Sequence, residues 1–334
     1  MGVNIFEIIP KEYISLDDLK NKKIAVDSSN MIYQFLSSIR QQDGTPLMDE
    51  KRRITSHLQG ILARVTNLME KDMKLAFVFD GKSPLLKVKE QEDREYRKQQ
   101  AEKKLKIARE EANEEEMLKY SKQTIRLNDD IIKESKELLS CLGMPIIQAP
   151  SEAEAQCSLI NKNNDVYCVA SSDADCILFG APRLIRNLTL AQKRKVRGGI
   201  VNIKPELIEI KNVLKELDIN QDQLIILGIM IGTDYNRKGI FRVGAKKALK
   251  LVKENKDYNK MFSDFNVDFD WKEIFDIFKN IPVKEDYKLE WNEINVDKIL
   301  KLLVDEHSFN QERVLKSLEK LNVKKNQPGL NKWF

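Results

Sequence analysis

The sequence predicts an α/β fold, a central and mostly parallel twisted sheet flanked by helices. Three observations carry that prediction. Short apolar runs rich in β-branched or aromatic residues occur at 23–26, 74–79 and 166–170. Each is followed by polar residues, as expected of strands buried on both faces. Helical patterns separate the runs, which implies crossover connections and a doubly wound sheet. Finally, 334 residues with 42% apolar and 33% charged side chains suffice for a sizeable core and exclude fibrous or wholly disordered classes.

The elements follow in order. After the first strand, 54–70 places Leu58, Ile61, Leu62, Val65, Leu68 and Met69 on one helical face. Beyond the second strand the pattern changes. Residues 82–109 hold ten basic side chains and five acids, and 110–116 add five more acids. With no Gly and no Pro after Pro84, this stretch is expected to be helical but poor in burial. It reads as a solvated hairpin or, functionally, as a lid or arch that projects from the core and moves. Residues 130–142 form another helical pattern. Residues 205–217 read as a helix with Pro205 in its first turn, and 220–231 as a second. Residues 239–249 read as a short turn feeding an amphipathic helix opened by Gly244. Two more helical patterns follow 297, then a polar linker at 322–326. There is no internal repeat or low-complexity tract.

Composition narrows the chemistry. His57 and His307 are read as standing far apart, with no triad or ligand spacing, which argues against His-ligated zinc and Ser-His-Asp catalysis. Cys141, Cys157, Cys168 and Cys176 contain no C-x-x-C pair. They read as reduced thiols in an intracellular protein. The first six residues lack a basic and long apolar leader, and the longest apolar run, 224–231, is too short to span a bilayer. The expectation is a soluble, intracellular and cytoplasmic protein with no membrane partner.

Charge is distributed unevenly. Residues 236–256 carry eight basic side chains and one acid, leaving the rest of the chain slightly acidic. Residues 183–197 carry six basic side chains and no acid. A charge run is commonly a solvated helix face; two acid-poor runs in one chain of this size favour a phosphate-backbone partner.

Each strand ends in acid: Asp27 after the first, Asp80 after the second, Asp173 and Asp175 after the third. Parallel sheets gather such residues in a crevice beyond the strand carboxyl ends. Glu152 and Glu154 open a helix behind Ser151, a natural cap, and Asp234 follows the 224–232 run. Singly, an Asp after a strand is a turn or cap residue. Jointly, seven acids in one crevice need cations, because like charges suppress ionisation. An all-oxygen set without His or Cys selects Mg²⁺ or Mn²⁺ over zinc. Two such ions about 3.5–4 Å apart serve phosphodiester hydrolysis.

These residues also carry a resemblance. Val26-Asp-Ser-Ser-Asn30 with Tyr33-Gln-Phe-Leu36, Asp43-Gly-Thr-Pro-Leu47, Thr55-Ser-His57, Val78-Phe-Asp-Gly-Lys82, Ala149-Pro-Ser-Glu-Ala-Glu-Ala155, Gly180-Ala-Pro-Arg183 and Gly232-Thr-Asp-Tyr-Asn236 occur in order. Over almost the whole chain the sequence resembles the flap endonucleases, structure-specific 5′ nucleases, and most closely their archaeal members. The resemblance implies a 5′-flap endonuclease with 5′–3′ exonuclease activity, using two Mg²⁺ ions in DNA replication and repair. It maps the family's acid set onto Asp27, Asp80, Glu152, Glu154, Asp173, Asp175 and Asp234. Its gateway basic pair maps onto Lys87 and Arg94, seven residues apart on one helix face, and its base-stacking tyrosine onto Tyr33.

Gly244 opens its helix, whose N-terminal amides with Lys246 and Lys247 could hold a phosphate; Gly2, which matches the family's N-terminal residue near the site, Arg40 and Arg242 complete the candidate DNA-binding residues. The organisation implied is one nuclease core over 1–321 and a tail over 322–334. Within the core lie an N-terminal nuclease region near 1–100, a helical arch near 82–126 and an internal region near 127–260. The last includes a helix–two-turn–helix near 220–256, where the family often holds K⁺. Arg242 and Ala245 replace that motif's usual Gly and Pro, and Ser28 replaces a Gly common after the first Asp. The terminal Gln327, Leu330, Trp333 and Phe334 resemble a sliding-clamp-binding (PCNA-binding) peptide. Independently of the family, the last three share one face of a helical turn and suit an apolar pocket. Branched DNA and a clamp are therefore the expected partners of a monomer.

The alternatives are a related repair nuclease with another junction preference, a clamp-tethered DNA-binding module without catalysis, and an unrelated α/β phosphatase. The short charged segment argues against the large excision-repair relatives. The acids argue against the binder, and the terminal peptide against the phosphatase.

Overall fold

The computed structural model describes residues 5–41, 43–189, 193–196 and 199–325. Its strands are β1 (Glu12–Tyr13), β2 (Lys23–Asp27), β3 (Lys74–Phe79), β4 (Ile146–Gln148), β5 (Cys168–Ala170), β6 (Arg183–Arg186), β7 (Lys193–Val196), β8 (Gly199–Asn202) and β9 (Glu206–Glu209). Seven of them form one sheet in the order β1-β9-β6-β5-β2-β3-β4. The run from β6 to β4 is parallel, and the β6–β9 and β9–β1 pairings are antiparallel. β7 and β8 pair separately as an antiparallel ribbon.

The predicted central strands are thus adjacent, with β2 between β3 and β5. Alternation sends Ala25, Val78, Val169 and Leu184 into one core and Ile24, Val26, Phe77, Cys168 and Ile185 into the other. Helices Ala153–Lys162, Gln221–Ile231 and Ala245–Glu254 cover the first face. Helices Ser28–Ser38, Asp129–Cys141 and Gln311–Lys325 cover the second, together with the 56–70 helix, which passes through a π turn at Ile61–Val65. A parallel sheet covered on both faces explains why its strands are continuously apolar.

The charged segment forms helices Val88–Glu110 and Glu114–Gln123. Ala101, Leu105 and Ala108 are buried but join neither core. Asn113 caps the second helix, accepting from the Glu116 N–H at 3.1 Å. Arg126 pairs with Glu95 and Glu102 and fastens the chain leaving the hairpin to the longer helix.

Three expectations are corrected. Residues 205–217 are not one helix: Glu206–Glu209 is β9, and the helix is Ile210–Leu217. Leu207 and Ile208 are buried in opposite cores, a demand only an extended segment meets, and Pro205 is compatible with a strand start. The two histidines are not remote in space. His57 Nε2 lies 2.9 Å from Glu134 Oε2 and His307 Nε2 3.3 Å from Glu134 Oε1. His307 Nδ1 also lies 3.1 Å from Asp49 Oδ2. Both rings are buried, so the pair clasps the C-terminal helices to the 49–57 segment. Finally, the last helix runs to Lys325, into the stretch read as linker. All four cysteines are buried and free. Among the described residues no helix is long and apolar enough to cross a membrane.

Candidate active site

Local folding explains how each acid reaches the crevice. Asp27 is the last residue of β2 and caps helix Ser28–Ser38, accepting from the Asn30 N–H at 3.1 Å and from Ser171 Oγ at 3.1 Å. Asp80 follows β3 and accepts from the Ala153 N–H at 2.7 Å, which ties the strand end to the helix that presents Glu152 and Glu154. Gly81 makes that approach possible: a Cβ there would stand 2.2 Å from the Ala149 carbonyl oxygen. Asp173 follows β5 and accepts from the Asp175 N–H at 3.2 Å. Asp175 opens the short helix Asp175–Leu178 and is buried. Asp234 sits in a turn braced by Asn236, whose side chain accepts from Thr233 N and Oγ1 and donates to the Ile229 carbonyl.

Asp80, Glu152 and Glu154 each offer a carboxylate oxygen, all within 4.8 Å of one another. Asp27, Asp173 and Asp234 lie within electrostatic reach of them. Burial first, then Asp80, pushes the Asp27 carboxyl up to about 7. Burial, with Asp27 and Asp80, pushes Glu154 well above the usual range. Burial, then Asp234, raises Asp173. Burial raises Glu152 as well, against the opposing pull of Lys87.

Two cations from the charged segment reach into this set. Lys87 Nζ lies 2.5 Å from Glu152 Oε2 and 3.4 Å from Asp234 Oδ2. Arg94 Nη2 donates to Asp234 Oδ2 at 2.7 Å. Although burial opposes it, the two hold the Asp234 carboxyl below its ordinary range. The same acids raise Lys87 and Arg94 despite the burial of both. Lys87, just before helix Val88–Glu110, and Arg94, on it, therefore share the crevice with the acids.

Elsewhere the site is looser. Tyr33 is 38% exposed and close enough to Arg94 and Arg40 to feel their charge. Arg40 spends its guanidinium on backbone, donating to the Leu36 carbonyl at 2.8 Å and the Gly44 carbonyl at 2.7 Å. Arg242 adopts φ +59°, the left-handed region, and its guanidinium lies 5.0 Å from the exposed Phe241 ring. Gly244 caps helix Ala245–Glu254 with open space around it, and Lys246 and Lys247 are exposed in the first turn. Gly2, Gln327, Leu330, Trp333 and Phe334 lie outside the described residues. Sequence reading missed Asn30 and Ser171, which orient Asp27, and Glu90, between Lys87 and Arg94 on the same helix face.

The donor set fits a hard divalent cation. Every candidate ligand is a carboxylate, and Glu152 Oε1 is buried with no hydrogen-bond partner. Several acids are held above their usual range by burial and mutual repulsion, a condition a nearby cation relieves.

Comparison with known proteins agrees. Residues 1–101 match the XPG N-terminal domain and residues 143–234 the XPG I-region. The chain is 49% identical to flap endonuclease 1 of Pyrococcus horikoshii and to that of Pyrococcus furiosus, covering 100% of this chain and 98% and 99% of theirs. The flap endonuclease-1 structure from Methanococcus jannaschii superposes with a TM-score of 0.77 at 40% identity, covering 98% of this chain and 100% of that one. Identity at nearly half of all positions, end to end in both chains, goes beyond a shared fold: the chain belongs to the flap endonuclease 1 family.

Proposed function

We infer that this protein is a divalent-metal-dependent endonuclease that cuts 5′-flaps from branched DNA and also acts as a 5′–3′ exonuclease. The observation that carries the reading is the carboxylate crevice bridged by Lys87 and Arg94, acids and phosphate-binding cations in one place. Two divalent ions, Mg²⁺ or Mn²⁺, held by Asp27, Asp80, Glu152, Glu154, Asp173, Asp175 and Asp234 would activate water and stabilise the leaving oxygen of a phosphodiester.

The chain's own groups do the rest. Lys87 exchanges carboxylate partners for the scissile phosphate, Arg94 meets it with the donors that Glu90 and Asp234 leave free, and both carry its negative charge as it builds. They sit on the base of the 82–126 hairpin, which acts as the arch over the 5′ strand. Tyr33, beside Arg94, offers a ring face to a base. Arg242, Lys246, Lys247 and the open amide end of the helix at Gly244 take phosphates of the downstream duplex. In this reading the element they form is the helix–two-turn–helix. K⁺ there requires a backbone shaped around Arg242 and Ala245. Residues 327–334 recruit a sliding clamp, and the enzyme works as an intracellular, cytoplasmic monomer when free of partners.

The test uses labelled double-flap DNA with Mg²⁺, with EDTA, and with the Asp175→Ala protein. One Mg²⁺-dependent cut near the flap base, lost in the variant, is the expected result. Tight junction binding with no cut under any divalent ion overturns the enzymatic reading in favour of a DNA-binding module.

A further inference from the structure

Glu90 lies on the base of helix Val88–Glu110, with its side chain 8% exposed. Its Oε1 accepts from three guanidinium groups: Arg94 Nε at 2.8 Å, Arg97 Nη2 at 3.0 Å and Arg237 Nη1 at 3.1 Å. Arg94 and Arg97 belong to the same helix. Arg237 comes from across the crevice, three residues after Asp234, on the turn that Asn236 braces.

A pair confined to one helix would be ordinary i, i+4 support worth a few tenths of a kcal/mol. The Arg237 bond makes Glu90 a cross-crevice tie. It also leaves Arg94 held at two points, Nε on Glu90 and Nη2 on Asp234. A guanidinium has five N–H donors in a rigid plane. Two such anchors fix that plane and leave the remaining donors free to meet a phosphate. Without Glu90, three guanidinium groups, each 35–43% exposed, would face one another with no anion between them, and Arg94 would lose one of its two anchors.

We propose that Glu90 is a positioning residue for the cleavage reaction: it sets the plane of Arg94 and fastens the base of the charged helix to the Asp234–Arg237 turn. It contacts no reacting atom and acts through Arg94. The inference rests on the flap-cleavage reading given above and adds a residue to it.

The experiment is a double-mutant cycle on a 5′-flap substrate with Glu90→Ala, Arg94→Ala and the double variant. Single-turnover rates are read at saturating enzyme with Mg²⁺, and flap-DNA affinity is read by anisotropy in EDTA. Losing an anchored phosphate donor typically costs about 10²–10³ in rate, so Glu90→Ala, which disorders that donor without deleting it, should slow the chemical step about 10–100-fold. DNA affinity should change little. In the Arg94→Ala background, Glu90→Ala should add less than about twofold, because residues acting as a unit are not additive. Glu90→Gln, which keeps the shape and loses the charge, should fall between wild type and Glu90→Ala. If Glu90→Ala does not fold, Glu90→Gln completes the same cycle. Multiplicative losses, a loss confined to DNA affinity, or a wild-type rate in Glu90→Ala would overturn the proposal. Failure of the wild-type protein to cut the flap would instead overturn the functional reading beneath it.

Discussion

Replacing Lys87 with Ala tests the charge balance of the crevice independently of catalysis. Lys87 Nζ is the cation nearest Glu152, at 2.5 Å, and it also reaches Asp234. Its side chain is 13% exposed and that of Glu152 5%, so neither group is well solvated. Removing one partner of a buried pair typically costs about 3–5 kcal/mol, because the other charge is left uncompensated. At about 2.1 cal/mol/K of unfolding entropy per residue, this 334-residue chain should lose about 4–7 °C in melting temperature. Glu152 escapes part of the penalty by taking up a proton. Burial already raises it, and loss of Lys87 raises it further. The deficit should therefore be small in acid, where the carboxyl is neutral in both proteins, and widen as pH rises. Mg²⁺ reverses the sign of the comparison. In the wild type the ion competes with Lys87 for Glu152; in Lys87→Ala it does not. The melting temperature gained from a fixed Mg²⁺ concentration should accordingly be larger in the variant. Thermal melts in EDTA and in Mg²⁺, at two pH values, decide the matter. Equal melting temperatures in EDTA to within about 1 °C, a shift of about 0.7 kcal/mol, together with equal Mg²⁺ increments, would refute the argument that Lys87 compensates the acids.

Asp175→Ala should lower flap cleavage by at least about 10²-fold while keeping most DNA affinity, as gel-shift and single-turnover assays on the same substrate would show. Arg242→Gly should relieve a left-handed backbone at φ +59° and stabilise the protein by about 1 kcal/mol, read by urea unfolding. The same change should weaken duplex binding and lower its log–log salt slope by about 0.9, the loss of one phosphate contact. His307→Ala should flatten the acid limb of the stability curve. Burial opposes it, but hydrogen bonds with Arg53 and His307 hold Asp49 below its ordinary value, and a hydrogen bond with His57, then the electrostatic pull of His307, holds Glu134 below its own. A depressed carboxyl contributes stability above its unfolded value, 3.8 for Asp and 4.5 for Glu, and loses it as pH falls through the folded value. Urea titrations from neutral pH to about pH 2 should therefore show less acid destabilisation in the variant.

The strands and the acids were legible because both signals are local. Runs such as Lys74–Phe79 are apolar throughout, and an Asp at a strand end needs no partner to be noticed. Residues 206–209 were misread for the same reason. Four residues flanked by a helical pattern carry too few periods to separate strand from helix, and only pairing with Tyr13 and β6 decides it. The histidine clasp was illegible because His57 and His307 meet only through Glu134, a third residue on another helix. Glu90 is intermediate. Its spacing from Lys87 and Arg94 was visible, but Arg237 arrives through the tertiary fold.

The base of the charged helix is held by a physics different from that of the sheet. Ala101, Leu105 and Ala108 bury the far part of the hairpin within itself, so little apolar surface joins the helix to either core. Its base is fixed instead by Lys87 on Glu152 and Asp234, Arg94 on Asp234, and Glu90 on Arg237. Apolar contacts do not respond to a divalent ion or a phosphate. Ion pairs do, because each arriving charge competes for one of the partners. In the flap-cleavage reading a phosphate would draw Lys87 off its acids, while Glu90, whose Oε1 also accepts from Arg94, would keep its bond to Arg237. A helix anchored this way would keep the Glu90–Arg237 attachment to the Asp234 turn while Lys87 changes partner. Apolar packing at the same place would hold the helix but give the crevice no charge to exchange.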